Sequence, residues 1–403
     1  MTKQLTKIAI VVSHPIQHFC PQYVSFTKNP DARIKVFFGS ALGSKKYLDE
    51  NFKQEIIWSN LNLHLFDHIF LNGEKVLPAD KHLDAPTLCK ELAEFGPDLL
   101  ITYGYFQKLQ RRARRWALKH GVPIAYISDS ERRHKENKVK ELLKYFFIKN
   151  YFAPIHWFLS MGDANEAYYR HYGVREKQLI RMHYPIDVEF YEQGFKNKEM
   201  LREKIRSLYD IRSGETVLAV VGKLVPWKNQ DHIIDAMQLL EEKGIYMHLF
   251  IIGSGEQLDA YNKKAKLLTR SKVHFTGFVD IAELPGYYAA TDVYVHPASL
   301  EPHSVAISEA IFMACPVIIS DTCGSYGDSD DVQSEKNGFV YSFGDTSSLA
   351  EKLALLIRDE SKRMAFAGYS HSIARKFQNR SHYLVLTDLL ERSNAARRVA
   401  NKL

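Results

Sequence analysis

Thr216-Val217-Leu218-Ala219-Val220-Val221-Gly222-Lys223-Leu224-Val225-Pro226-Trp227-Lys228-Asn229 runs from an unbroken β-branched stretch into a turn of glycine and lysine. An apolar run without alternation is what a parallel strand buried on both faces requires. Downstream, Ile233, Ile234, Met237 and Leu240 fall on one helical stripe, with Asn229 in position to cap it and Gly244 to end it. The turn thus joins the carboxyl end of a strand to a helix N-terminus, where open α/β sheets bind their ligands. Lys223 and Lys228 flank it, and ammonium groups beside free helix N–H groups make an anion site, with a diphosphate the obvious anion. Two surface lysines without a ligand are the alternative.

The same grammar continues on both sides. Met247–Ile252, residues 273–275, residues 292–296 and Val317–Ser320 read as further strands of the second half, and Gly277-Phe278 closes the second of these. Gly253-Ser254-Gly255 lacks the third glycine of a dinucleotide fingerprint, which argues against a dehydrogenase. In the first half, residues 7–13, 34–38, 99–102 and Ile124–Ile127 read as strands, alternating with helical stretches such as residues 107–120. Residues 163–172 read as a helix with Gly173 past its end. Strand and helix alternating twice over predicts two doubly wound α/β domains. The polar, strand-free stretch 192–206 puts their boundary near residues 190–210.

Each half contributes polar residues to a strand end. In the first, His14-Pro15-Ile16-Gln17-His18 follows the opening strand and Ser128-Asp129-Ser130 the fourth, with capping or loop roles as the alternative to ligand contact. In the second, Glu301-Pro302-His303-Ser304-Val305-Ala306-Ile307-Ser308-Glu309-Ala310 sets two carboxylates eight residues apart, one before a helix and one inside it. Ser304 is the expected N-cap, leaving N–H groups of residues 304–306 toward the cleft. Carboxylates beside a phosphate site serve hydroxyls, accepting hydrogen bonds while ionised. Diphosphate and sugar hydroxyls on one molecule describe a nucleotide sugar.

The motifs Gly222-Lys223-Leu224-Val225-Pro226-Trp227-Lys228, Phe275-Thr276-Gly277-Phe278, Glu301-Pro302 with Glu309-Ala310, and Pro316-Val317-Ile318 resemble the donor domain of retaining glycosyltransferases of family four. Ser13-His14-Pro15-Ile16-Gln17, Tyr103-Gly104-Tyr105, Ser128-Asp129-Ser130 and Tyr172-Gly173-Val174 extend the resemblance to a bacterial branch. It implies the GT-B architecture: an acceptor domain over 1–195, a donor domain over 205–375, and a last segment, 376–403, crossing back onto the first domain. It implies that Glu309 holds the nucleotide ribose, Glu301 the donor-sugar hydroxyls, and Lys223 and Lys228 the diphosphate. Gly222, Phe278, His303, Ser304 and Val305 complete the donor site. Catalytic roles fall to Glu301, Lys228, Lys223 and Asp129, and acceptor contacts to His14, Gln17, His18 and Tyr105. The family usually has arginine at Lys223 and often glycine at Ser304, so bidentate phosphate contact is lost at the first. Many members carry a histidine where this chain offers Ser128 and Asp129. A nucleotide-sugar epimerase, a sugar phosphorylase, or a non-catalytic membrane- or RNA-binding protein are the rival readings.

Composition sets the outer limits. A chain of 403 residues, 45% hydrophobic and 25% charged, suits two ordinary globular domains. Cys20, Cys89, Cys315 and Cys323 have no zinc spacing and fit a reducing cytoplasm. No cleavage site follows the first twelve residues and no run reaches the ~18 apolar residues of a membrane span, so a cytoplasmic protein, at the inner face of the plasma membrane if bound there, is expected. The net charge of +7 suits an anionic partner. Arg111, Arg112, Arg114 and Arg115, with Lys119, Arg132, Arg133, Lys135, Lys138 and Lys140 and the nearby Trp116, Leu118, Tyr145, Phe146 and Phe147, are either an interfacial patch for an anionic leaflet or a solvated helix face. No nucleic-acid motif accompanies them. Asp328-Ser329-Asp330-Asp331 contains a DxD, the pattern that holds a divalent metal in other glycosyltransferases, and reads here as a solvated acidic loop. Neither cofactor nor metal is expected.

Overall fold

In the computed structural model, which describes residues 5–49, 54–133 and 138–400, side chains to 395, the apolar opening run is a strand, β1 (Thr6–Val12). The first domain continues through α1 (Cys20–Thr27), β2 (Ala32–Phe38), β3 (Tyr47–Asp49), β4 (Gln54–Ile56), β5 (His68–Glu74), α2 (Leu88–Phe95), β6 (Leu99–Tyr103) and α3 (Lys108–Lys119). It ends with β7 (Ile124–Ile127), α4 (Lys138–Phe152), β8 (Trp157–Ser160), α5 (Asp163–His171) and β9 (Leu179–Arg181). Seven strands pair in the order β5-β2-β1-β6-β7-β8-β9, all parallel, while β3 and β4 form a separate antiparallel ladder. Period two divides β1 between the two faces. Ile8, Ile10 and Val12 join one core and Ala9 and Val11 the other.

After the crossover come α6 (Val188–Lys196) and α7 (Lys198–Leu208), then β10 (Thr216–Val221), α8 (Asp231–Glu241), β11 (Met247–Ile252), α9 (Leu258–Ala265) and β12 (Lys272–Gly277). The domain closes with α10 (Leu284–Ala290), β13 (Val293–His296), α11 (Val305–Phe312), β14 (Val317–Ser320), β15 (Gly338–Tyr341), α12 (Thr346–Arg358) and α13 (Glu360–Asn379). Its six strands lie in the parallel order β12-β11-β10-β13-β14-β15. Order reverses between β10 and β13, so the loops after these two strands border the switch-point crevice.

Three readings of the sequence are corrected here. The stretch taken as a polar connection is α6 and α7, whose Tyr191 and Ile205 are buried in the second domain's core. Lys196, Glu199, Glu203 and Lys204 are exposed, while Arg202 and Arg206 turn inward to Asp292 at 2.6 Å each, a long-range pairing that composition reads only as polar linker. Asn229 does not cap α8. It sits in the left-handed region at φ 49°, and its Oδ1 accepts from the Ser299 N–H at 3.2 Å, tying the two switch-point loops together. Asp330 and Asp331 are buried, leaving only Asp328 and Ser329 of that segment exposed.

Past α13, a π-helical turn, Arg380–Leu384, redirects the chain into α14 (Val385–Ala400). Val385, Leu386, Leu389 and Leu390 of α14 are buried in the first domain's core. Gln22 Nε2 donates to the Ser381 carbonyl at 2.9 Å, so the return is also hydrogen-bonded. Among the described residues no helix is long and apolar enough to cross a membrane.

Candidate active site

Both sheets aim their strand ends at one cavity of about 440 Å³. From the second domain it takes Gly222, Lys223, Lys228, Phe278, Glu301, His303, Ser304, Val305 and Glu309, and from the first His14, Gln17 and His18. Every donor-side residue singled out from the sequence lies on its wall. A second cavity of about 400 Å³ opens in the first domain and is lined by Tyr105, Phe106, Asp129 and Tyr103. Ile16, His18 and Tyr184 line both cavities and form the partition. The four residues grouped on the acceptor side are therefore divided: His14 and Gln17 face the interdomain cavity, Tyr105 the second, His18 both.

Backbone geometry opens the floor. Gly222 and Gly253 have φ of 150° and 139°, and a Cβ on Gly253 would lie 2.0 Å from the Gly222 carbonyl oxygen. Only glycine lets the turns after β10 and β11 approach this closely.

The charged groups are engaged with one another. Glu301 Oε2 meets Lys228 Nζ and lies 3.2 Å from His296 Nε2. Burial holds His296 well below the ordinary histidine range, so the neutral ring donates here. Burial also lowers the Lys228 ammonium, to about 8, and the adjacent Glu301 carboxylate favours its charged form. Lys223 Nζ reaches across the cleft to Asp49 at 2.9 and 3.1 Å. Glu309 is buried, accepts from Tyr288 Oη at 2.8 Å, and is pushed up to about 7 by burial, against which the tyrosine bonds act. Of the N–H groups at the start of α11, that of Ser304 is already given to Ser325 Oγ at 3.0 Å. Those of Val305 and Ala306 remain for an anion, and Ser304 occupies the N-cap position without a side-chain bond.

The DxD segment is a domain clasp. Asp330 Oδ2 accepts from the Asp163 N–H at 2.8 Å, at the N-terminus of α5, where helix N–H groups favour an anion. Asp330 Oδ1 lies 3.2 Å from His303 Nε2, and Asp331 Oδ2 accepts from Ser308 Oγ at 2.5 Å. Gly162 makes the approach possible, since a Cβ there would lie 2.2 Å from Asp330 Oδ2. Burial disfavours a charge on His303, but the bond to Asp330 and the neighbouring Asp331 outweigh it and raise its pKa. His303, Asp330 and Asp331 also form a group of the size that holds a metal ion, with ligand atoms within 4.8 Å of one another. Both Asp330 oxygens and Asp331 Oδ2 already have partners in Asp163, His303 and Ser308. The ring of His303 stacks on Tyr184 at 5.1 Å, joining the clasp to the partition.

Sequence reasoning missed Tyr184, His296 and Asp49, and read the buried Asp330 as solvated. His296 was within reach, as a histidine ending a strand at the switch point. Asp49 carries no local signal.

Two Rossmann-like domains facing a shared cleft, with a last helix returning to the first, define the GT-B fold. Residues 202–372 match the family of glycosyl transferases group 1, so the resemblance drawn from the sequence holds over the second domain. A capsular polysaccharide biosynthesis glycosyltransferase, CapM of Staphylococcus aureus, is 25% identical over 43% of this chain and 44% of its own length. A GDP-mannose-dependent phosphatidylinositol monomannoside mannosyltransferase of Mycobacterium tuberculosis is 26% identical over 50% and 54%. The chain thus spans about half the length of these curated relatives. In fold, it is similar to Anabaena HepE, solved with UDP and glucose, with a TM-score of 0.66, 16% identity, and 97% and 100% of the two chains covered.

Proposed function

We propose that this protein transfers a hexosyl group from a nucleoside-diphosphate sugar to an acceptor hydroxyl, with retention at the anomeric carbon and without a metal ion, in the assembly of a bacterial surface glycan. The observation that carries the reading is the interdomain cavity, with Glu301 and Glu309 on its wall beside Lys223, Lys228 and the N-terminus of α11. The diphosphate lies against the lysines and the N–H groups of Val305 and Ala306, which receive the charge of the leaving group. Glu309 takes the ribose hydroxyls and Glu301 those of the sugar. Asp129 and Tyr105 contact the acceptor in the second cavity, past His18 and Tyr184. A separate room of this size suits transfer to a bulky second substrate better than epimerisation. CapM's role in capsule synthesis and the mycobacterial enzyme's lipid acceptor support the surface-glycan setting. Nucleotide-sugar use and four unpaired cysteines favour the cytoplasmic side.

Thermal stabilisation by UDP, GDP and ADP tests the donor. Saturation at a hundredfold over Kd adds about 2.7 kcal/mol, and one base should do so far better than the others. Stabilisation by none of them overturns the reading.

Glu309 adds a pH signature. Its carboxyl titrates near 7 in the folded protein against an ordinary value of 4.5. The folded state therefore holds the proton more tightly, and this group's contribution to stability falls as pH rises from 4.5 to 7. Ribose hydroxyls need the ionised form, so nucleotide affinity should rise about tenfold from pH 6 to 8. Isothermal titration should find Glu309→Gln weaker and flat across that range.

A further inference from the structure

Helix α4 has two apolar faces, and among the described residues the core takes up one. Ile148, Tyr151 and Phe152 are buried in the first domain's core. Leu142, Leu143, Phe146 and Phe147 are 58, 68, 55 and 50% exposed, with Val139 at 68% one turn earlier. The spacing 139, 142, 143, 146, 147 lines them up along one stripe, a contiguous patch of the kind soluble surfaces ordinarily lack. Lys138, Lys140 and Lys149 of the same helix are exposed, and its one acidic residue, Glu141, pairs with Arg132 at 2.8 Å.

The basic helix α3 lies alongside. Arg114 Nε donates to the Tyr151 carbonyl at 3.2 Å and its guanidinium covers the Tyr151 ring at 4.4 Å. Arg112 is turned inward to Asp84, with bonds of 2.8 and 2.6 Å. The four-arginine patch read from the sequence thus divides: Arg112 and Arg114 hold the fold, while Arg115 stays exposed and Arg111 half-exposed beside α4; Lys135 of the same basic segment lies outside the described residues.

The stripe continues to the second cavity. Phe147 meets Tyr105 at 5.9 Å between ring centroids, and Tyr105 and the exposed Phe106 line that cavity. An exposed apolar strip with a cationic rim therefore ends at the second cavity.

We propose that α4, with Phe106, seats the protein on an anionic lipid bilayer, with the mouth of the second cavity at headgroup level and the acceptor hydroxyl carried on a lipid. The acceptor clause rests on the assignment of that cavity to the acceptor. Charge selects the occupant. A second copy of this face would bring two cationic rims together, whereas the same rim complements anionic headgroups while the leucines and phenylalanines enter the acyl boundary. Fifteen residues are too few to span the ~20-residue hydrocarbon core, so the helix lies in the interface.

Sedimentation of the full chain with vesicles tests the surface. Binding to phosphatidylcholine vesicles containing about a third phosphatidylglycerol should exceed binding to phosphatidylcholine alone by tenfold or more, and should fall in high salt. The double variant Leu143→Glu with Phe146→Glu should lose at least tenfold while keeping the wild-type stabilisation by nucleoside diphosphate. Two results overturn the proposal: no binding to anionic vesicles at low salt, or equal binding by the variant. A wild-type dimer that the variant dissociates, with no vesicle binding, would assign the stripe to a second copy instead. Vesicle binding without stabilisation by any nucleotide would keep the surface, and remove the acceptor clause together with the transferase reading.

Discussion

Glu301→Ala is expected to lower kcat/KM for sugar transfer by about 10²–10³, the range lost when one preorganised polar group is removed from a site that stabilises developing charge. The loss has two sources. Glu301 is the assigned anchor of the donor-sugar hydroxyls, and its Oε2 is also where Lys228 and His296 converge. Without the carboxylate the ammonium is no longer held at the cleft wall, so alanine here disturbs leaving-group stabilisation as well as sugar orientation. Lys228→Ala should cost as much, and the double variant should fall well short of the product of the singles, as for groups that act as a unit. Nucleoside-diphosphate affinity separates the two roles. It should fall only modestly in Glu301→Ala, where the ammonium remains but is no longer held in place, and further in Lys228→Ala, where the phosphate contact itself is gone. Full transfer activity in a folded Glu301→Ala protein would remove the sugar-anchor assignment.

Legibility in the sequence followed burial. β1, β10, β11 and β14 are covered on both faces, so their apolar runs are nearly continuous and their limits could be read closely. β5, the edge strand His68–Glu74, mixes histidine, asparagine, glycine and glutamate with its apolar residues and was missed. The ladder of β3 and β4 was missed too, with only three residues in each strand. The donor side of the site was legible because motif spacing puts Glu301, Glu309 and the two lysines on adjoining strand ends. What pairs with them was not. Lys223 and Asp49 are 174 residues apart, and Asp163 and Asp330 are 167. Contacts made by docking one domain on another leave no local pattern. The DxD shows the cost of judging charge from composition: a Gly/Ser-rich acidic segment reads as solvated, yet one helix N–H, an imidazole and the Ser308 hydroxyl hold two of its carboxylates in the interior.

Asp330→Ala should accordingly be among the most destabilising single changes in the chain. Asp330 is fully buried and receives the Asp163 N–H from the first domain while facing His303 in the second. Its removal leaves a helix N–H unpaired and takes from His303 the partner that outweighs burial. Breaking a buried pair from one side costs about 3–5 kcal/mol. Asp328→Ala, two residues away and exposed, should stay within about 0.5 kcal/mol of wild type. Urea unfolding followed separately in each domain is the measurement, because loss of the clasp should also uncouple the two transitions. Asp330→Asn can still accept from Asp163 but lacks the charge, so it isolates the imidazolium. His303 is raised above its ordinary 6.5 in the folded state. Its contribution is therefore complete below pH 6.5 and lost as pH climbs through the folded value. Wild type should lose stability along that limb, and Asp330→Asn, in which Asp331 at 3.8 Å is the nearest carboxylate left to favour the imidazolium, should lose much less. Parallel pH profiles for the two proteins would show that His303 is uncharged in both, and that the clasp is a hydrogen-bond network without an ion pair.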